Sequence, residues 1–336
     1  MGVALLWVAV SAFGLGAAQS LMFVMTAETV DYGEWRIGVR AQGLLTSVSA
    51  IGASIGAGLA GVINSDILVH FHFVPNMTQT ASGIMGINVC FVYGPAHVPE
   101  GVTSPVPTVL LFHGFGAVRD EYFCSFVQIS RQLAQRGIAA IGFDFSGHGE
   151  SDGDFIDFTF SNEVYEGTQL VAFVKTLDFV DETRVALLGM SLGSVAASMV
   201  AGLVGDAVMG LCLWSPAAVF QDEIVNNHTL QGKPIATVAE KGYFDFNSMK
   251  LGPQFFEDVK TVDIYPTAKQ YLGPVKIIHG ADDTIAPVSY AQKYVDTYQQ
   301  PVDLTVVPGA DHSWGDVPTR ESLFNATLAF FDKLYK

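Results

Sequence analysis

The sequence predicts an α/β domain on a mostly parallel sheet flanked by helices, preceded by two apolar, transmembrane-type helices. Three observations carry this. From about residue 67 onward, short Val/Ile/Leu-rich runs alternate with amphipathic helical stretches. Strands covered on both faces by helices read this way, because neither face meets water. Residues 1–27 and 41–65 carry no charge at all, and each run exceeds the roughly 20 residues that span a bilayer core as a helix. Finally, residues 216–272 separate two strand candidates by far more than a crossover needs, which marks an insertion with its own role, such as a lid.

The second apolar run has Gly52, Gly56, Gly58 and Ala60 at spacings that let helices approach closely in lipid. Between the two runs, AETVDYGEWRIGVRAQG gathers Glu28, Asp31, Glu34, Arg36 and Arg40, as a loop joining two spans would. A pair of buried soluble helices is the alternative. A signal peptide cleaved near AFGLGAAQ fits less well, since no basic region precedes it and a second apolar run follows. The expected division is residues 1–65 as a two-helix fragment and 66–336 as the α/β domain.

Within that domain the expected strands are 67–74, 87–94, 108–114, 139–147, 184–190, 208–214, 275–281 and 302–309. Helices are expected near 125–136, 162–176, 192–204, 287–298 and 317–335. Two strands before the first helix point to an antiparallel edge. The insertion carries eight aromatics, Phe220, Tyr243, Phe244, Phe246, Phe255, Phe256, Tyr265 and Tyr271.

A net charge of −16, almost all beyond residue 65, speaks against nucleic-acid binding, which needs a basic face. Three widely spaced cysteines, Cys90, Cys124 and Cys212, form no disulfide framework or metal spacing; they are expected to be buried free thiols. His70 and His72 share one strand face without a third metal ligand in view.

Gly189-Met190-Ser191-Leu192-Gly193 fits G-x-S-x-G between an expected strand and an expected helix. The glycines allow a tight turn that holds the serine hydroxyl out at the strand end. The helix that follows turns its positive end toward any anion forming there. Serine needs a base, and the base an orienting acid. In this architecture the order is Ser, Asp or Glu, His. Asp283 follows Ser191 by 92 residues and His312 follows by 29 more, each just past an expected strand. Spacing leaves Asp282 and Asp283 open, while Asp311 stands too close to His312 to orient its ring. His113, His148 and His279 lie in glycine turns and read as structural; His97 and His228 read as loop residues. HGFG (113–116) follows the strand TVLLF, so the backbone N–H groups of Phe115 and Leu192 are the expected oxyanion donors. Chemistry of this kind needs neither metal nor organic cofactor.

HGFG, FDFSGHGESDG, LGMSLGS, HGADD and GADHS occur in an order that resembles the α/β-hydrolase superfamily over about 67–336, and specifically the bacterial cinnamoyl (feruloyl) esterases. The resemblance implies an α/β-hydrolase fold, Asp283 as the acid, and a small lid gripping the phenolic ring of an aromatic ester. It implies Asp222 (in FQDE) and Gln231 (in TLQG) as partners of the phenolic hydroxyl, with Phe255 replacing a tyrosine found in similar esterases. The substrates implied are hydroxycinnamate esters such as those on plant arabinoxylan; short acyl esters, thioesters and peptides share the chemistry. AETVDYGEWRIGVRAQGLLTSVSAIG in turn resembles the glycoside–pentoside–hexuronide sugar–cation symporters, over about residues 1–64. Two helices build no transport path, so that stretch is expected to be a relic or a membrane anchor. As a relic it leaves the enzyme cytoplasmic; as an anchor, with its Arg-bearing loop inside, it places the enzyme outside. A membrane-anchored binding or transport-associated protein is the reading from another class. Oligomeric state stays open.

Overall fold

The computed structural model describes Gly94 and residues 96–336. The two apolar helices, the strand expected over 67–74, His70, His72, Cys90 and the 65/66 boundary lie outside the described residues, as does all but Gly94 of the strand expected over 87–94. The described residues fall within one compact unit, Cys90–Lys336. Among them no helix is long and apolar enough to cross a membrane.

In chain order the strands are β1 (Ala96–His97), β2 (Val106–Phe112), β3 (Ala139–Gly142), β4 (Val180–Met190) and β5 (Gly210–Trp214). The insertion contributes β6 (Thr229–Leu230), β7 (Lys233–Pro234), β8 (Phe244–Phe246) and β9 (Met249–Leu251); β10 (Val275–Gly280) and β11 (Val302–Val307) follow. The main sheet has seven strands in the order β1-β3-β2-β4-β5-β10-β11. Only β1 runs antiparallel, against β3; the other pairs are parallel. His97, read from sequence as a loop residue, is therefore an edge-strand residue paired with Ala140.

The expected strand over 139–147 ends early, at Gly142. Beyond it the chain turns into a loop, where Asp144 accepts the N–H groups of Arg119 and Glu150 at 2.7 and 3.0 Å. β4 conversely begins earlier than expected, because Val180 pairs with Val106 before a shift in register.

Alternate residues of a strand point to opposite faces, and the core divides accordingly. Leu110, Phe112, Leu187, Leu211, Leu213 and Ile277 belong to one buried cluster. Val109, Leu111, Leu188, Cys212, Trp214 and Ile278 belong to the other. Helices Phe160–Val174 and Leu192–Val204 cover the first face, and Ser125–Ala134 and Val317–Leu334 the second. Thr159 and Asp316 begin two of these helices by accepting the N–H of Asn162 and Thr319, each satisfying a donor the helix leaves free. Buried apolar residues on both faces explain the continuous Val/Leu strands.

Between β5 and β10 the chain forms short helices (Val219–Asp222, Thr237–Lys241, Pro253–Val259, Ile264–Ala268) and the hairpins β6–β7 and β8–β9. Its residues Phe220, Leu230, Phe244, Phe246, Phe255 and Phe256 join the first cluster. The insertion is thus anchored on the body by aromatic packing. Strand order reverses beside β2, with β3 on one side and β4 on the other. Loops leaving the carboxyl ends of β2 and β4 part there, the usual place for a site in an open α/β sheet.

Candidate functional site

Ser191 stands between the last residue of β4 and the first residue of helix Leu192–Val204, with φ 55° and ψ −117°. A side chain at positive φ is strained and is held by its surroundings. Its N–H donates to the Trp214 carbonyl at 2.9 Å, tying the turn to β5. The flanking glycines are required by contact: a Cβ at Gly189 would lie 2.4 Å from the Gly193 carbonyl oxygen, and one at Gly193 2.2 Å from that of Phe112. Strand and helix meet too closely for any larger residue.

Asp283 and His312 leave the ends of β10 and β11, at the same sheet edge. His312 Nδ1–H donates to Asp283 Oδ2 at 2.7 Å, and Ser191 Oγ–H donates to His312 Nε2 at 2.9 Å. A carboxylate only accepts, so Nδ1 must carry the proton and Nε2 is free to receive one. The other Asp283 oxygen accepts the N–H of Ile285 and Ala286 at 3.0 and 2.8 Å. Burial pushes the Asp283 carboxyl up, yet hydrogen bonds from His279, His312 and Ala286 outweigh it and hold the group well below the usual carboxylate range. His279 lies behind: Nε2–H donates to the Ala286 carbonyl at 2.6 Å and stands 3.3 Å from Asp283 Oδ2. Asp282 is turned outward and exposed, and Asp311 accepts the Gly315 N–H.

Phe115 and Leu192, the residues that carry the expected oxyanion donors, both line the same cavity as Ser191. Leu192 opens its helix, so no intrahelical carbonyl takes its N–H. Phe115 follows Gly114, whose carbonyl accepts Nδ1–H of His113 at 2.9 Å and the N–H of Ala117 at 3.1 Å. Phe145 N–H donates to His113 Nε2 at 3.0 Å, which fixes the tautomer. Burial, with His148 adjoining, lowers the His113 pKa to about 3, so the ring stays neutral. His148 is likewise buried and lowered to about 4, first by burial.

A cavity of about 410 Å³ opens at Ser191. Phe115, Leu192, Val219, Phe220 and Leu230 give it apolar walls; Glu223, Gln231 and Thr284 are polar groups on it. Of the three lid residues singled out from the sequence, only Gln231 lines this cavity. Asp222 instead accepts Tyr290 O–H at 2.8 Å and Asn226 Nδ2–H at 3.1 Å, joining the insertion to helix Val288–Thr297. Phe255 is wholly buried and stacks on Phe115 at 5.0 Å, so it supports a cavity wall from behind. The residue missed was Glu223, whose carboxylate accepts the N–H of Gln231 and Gly232 at 2.9 and 3.2 Å and lines the cavity. The Gln-Gly pair of TLQGKP, both at positive φ, was the available sign of the tight hairpin it holds.

Among the described residues no group of three or more His, Cys, Asp or Glu stands together as a metal site. Cys212 is buried, its thiol pushed up to about 12 by burial. Cys124, expected to be buried, is exposed in the turn that precedes helix Ser125–Ala134.

A parallel sheet with helices on both faces, whose central strand ends in a strained serine beside a histidine and an aspartate, defines the nucleophile-elbow class of α/β proteins. The family model described as "Alpha/beta hydrolase family" matches residues 109–321, and the chain belongs to that family. A second model, "MFS/sugar transport protein", matches residues 1–98. Over 82 residues the chain is 40% identical to the isoprimeverose transporter of Lactiplantibacillus pentosus, covering 24% of this chain and 17% of that protein. The chain thus spans between about a sixth and a third of the length of the curated relatives it matches. Among solved structures, Est1E from Butyrivibrio proteoclasticus with bound ferulic acid superposes with a TM-score of 0.66 at 24% identity, over 72% of this chain and 95% of that one. The monoacylglycerol lipase of Paleococcus ferrophilus gives 0.54 at 18%, over 73% and 99%. These two likenesses concern the fold.

Proposed function

We propose that this chain is a serine carboxylic-ester hydrolase that releases hydroxycinnamic acids such as ferulate, p-coumarate and caffeate from their esters. The observation that carries the reading is the unbroken hydrogen-bonded line from Asp283 through His312 to Ser191, opening on a cavity with aromatic walls. Ser191 Oγ attacks the ester carbonyl as His312 Nε2 takes its proton. The N–H groups of Phe115 and Leu192 receive the oxyanion. His312 then protonates the departing alcohol, and a water molecule, deprotonated by the same nitrogen, attacks the acyl-enzyme to free the acid. Asp283 holds the ring and balances the imidazolium that forms in each step. An acyl chain with a flat ring suits walls of Phe115, Phe220 and Leu230, and the fold likeness to a ferulic-acid complex supports an aromatic acyl group. In this reading residues 66–336 are the esterase domain and residues 1–65 a separate symporter-like segment.

The test is a panel of methyl esters, from acetate to ferulate, offered to the purified full chain with Ser191→Ala as the blank. Highest kcat/KM on ferulate or p-coumarate supports the proposal. Highest kcat/KM on acetate replaces it with a short-acyl esterase. Absence of turnover, together with no labelling of Ser191 by a fluorophosphonate, overturns both.

A further inference from the structure

Glu121 is a buried carboxylate beside the site that the mechanism above does not use. It is 7% exposed and sits at φ 57°, ψ 172°, followed by Phe123 and Cys124 at φ 56° and 55°. Three non-glycine residues at positive φ within four positions form a strained segment, of the kind that persists where it serves a site. The strained turn carries the Glu121 side chain inward. Its Oε2 accepts the Gly114 N–H at 2.6 Å and its Oε1 accepts the Tyr122 N–H at 3.1 Å. A Cβ placed on Gly114 would lie 3.4 Å from both Glu121 Oε2 and the Ser191 Cβ. Gly114 is therefore held between the carboxylate and the serine.

Gly114 is also where the candidate oxyanion donor is aimed. The Gly114 carbonyl and the Phe115 N–H belong to one planar trans peptide, so they point in opposite directions. His113 Nδ1–H and Ala117 N–H pin that carbonyl. Glycine has the freest backbone of any residue, so fixing the peptide before it as well narrows the orientations left to the peptide beyond it. Glu121 fixes that preceding peptide.

We propose that Glu121 is a positioning residue, whose carboxylate clamps the Gly114 N–H and so keeps the Phe115 N–H directed at the oxyanion. The inference rests on the ester-hydrolase reading, and a second readout keeps the two separable. Preorganised donors act because they need no reorganisation when charge develops, and losing one costs roughly 10²–10³ in rate. Burial raises the Glu121 carboxyl to about 7, against the pull of the Gly114 and Tyr122 N–H groups and of nearby His312. Protonation turns one acceptor oxygen into a donor, so the clamp is strongest when the group is ionised.

Three variants separate reach from charge. Glu121→Ala removes the acceptor. Glu121→Asp keeps the charge and loses the reach by one methylene. Glu121→Gln keeps an acceptor oxygen and loses the charge. The expected result is a kcat about 10²-fold lower for Ala and Asp with KM within about threefold, and recovery to within about tenfold of wild type for Gln. Affinity for a boronic acid that mimics the tetrahedral intermediate should fall in step with kcat. Amide hydrogen exchange at Gly114 should quicken in Ala and Asp, a readout that needs no turnover. Wild-type kcat in a folded Glu121→Ala or Glu121→Asp, or unchanged exchange at Gly114 in them, overturns the proposal. Should Ala fail to fold, the Asp and Gln pair decides the matter. Should the wild-type chain hydrolyse no ester, the enzyme reading fails while the exchange experiment still judges the clamp.

Discussion

Asp283 presents one carboxylate oxygen to His312 at 2.7 Å and gives the other to two backbone N–H groups. Three donors thus converge on a side chain with no exposed surface, and the His279 nitrogen stands 3.3 Å from its Oδ2. The carboxylate is fixed in place, and through it the tilt of the His312 ring toward Ser191.

Removing any member of this line should abolish ester hydrolysis. Ser191→Ala and His312→Ala are each expected to lower kcat by about 10⁴-fold or more, and Asp283→Asn by a comparable or somewhat smaller factor. Far-ultraviolet circular dichroism should show the Ser191→Ala and His312→Ala proteins folded. Near-normal turnover in either would contradict the mechanism.

The elbow should be intolerant of a single methyl group. Gly193→Ala places a Cβ 2.2 Å from the Phe112 carbonyl oxygen and 2.3 Å from that of His113. Backbone has little room to yield there, so a loss of about 1–3 kcal/mol or more is expected in urea unfolding. Stability equal to wild type would show that the helix can shift away from β2.

Stability should fall as the solution is acidified, with His113 and His148 as named causes. Their pKa values in the folded protein, about 3 and about 4, lie below the ordinary 6.5. Each therefore contributes stability that is complete above pH 6.5 and lost as pH falls toward the folded value. The loss is about 2 kcal/mol per histidine between pH 6.5 and 5. In His148→Gln the drop between pH 7.5 and pH 5 should be smaller than in wild type by about that amount. An identical drop in the two proteins would refute the assignment.

Glu121 has the opposite sign. Its folded pKa of about 7 lies above the ordinary 4.5, so its contribution is complete below pH 4.5 and lost as pH rises to 7. Glu121→Gln should gain stability relative to wild type across that interval, read from urea midpoints at pH 4.5 and 7.5. A difference between the two proteins that does not change with pH would count against it.

The insertion offers a test of which side chains meet the substrate. Gln231 lines the cavity, whereas Asp222 is engaged by Tyr290 and Asn226. Gln231→Ala is expected to raise KM for methyl ferulate several-fold with little effect on methyl cinnamate, which lacks the phenolic hydroxyl. Asp222→Ala should leave both KM values near wild type and lower stability by about 1 kcal/mol, the usual worth of a hydrogen bond. The reverse pattern would mean that the insertion rearranges around the substrate.

Much of this molecule was decided locally and could be read from residues alone. The continuous apolar runs of β2, β4, β5 and β10 and the amphipathic stretches between them determined a parallel sheet with two covered faces. Gly189 and Gly193 around Ser191 determined an elbow, since the requirement for a missing Cβ is met within a few residues. The order Ser, Asp, His followed from residues placed just past three expected strands, with Asp283 rather than Asp282 implied by the family resemblance. Edges were harder: the strand expected over 139–147 ended at Gly142, because Asp144 turned to take the N–H groups of Arg119 and Glu150. Only tertiary structure decided that Asp283 turns inward and Asp282 outward, that Glu223 faces the cavity rather than Asp222, and that Phe255 supports Phe115 from behind. Glu121 was invisible for the same reason. Its partner is the backbone N–H of Gly114, seven residues away, and a backbone amide has no sequence signature. Patterns along a chain report periodicity and steric allowance. The direction of one side chain in a long insertion or a strained turn is settled by everything packed around it.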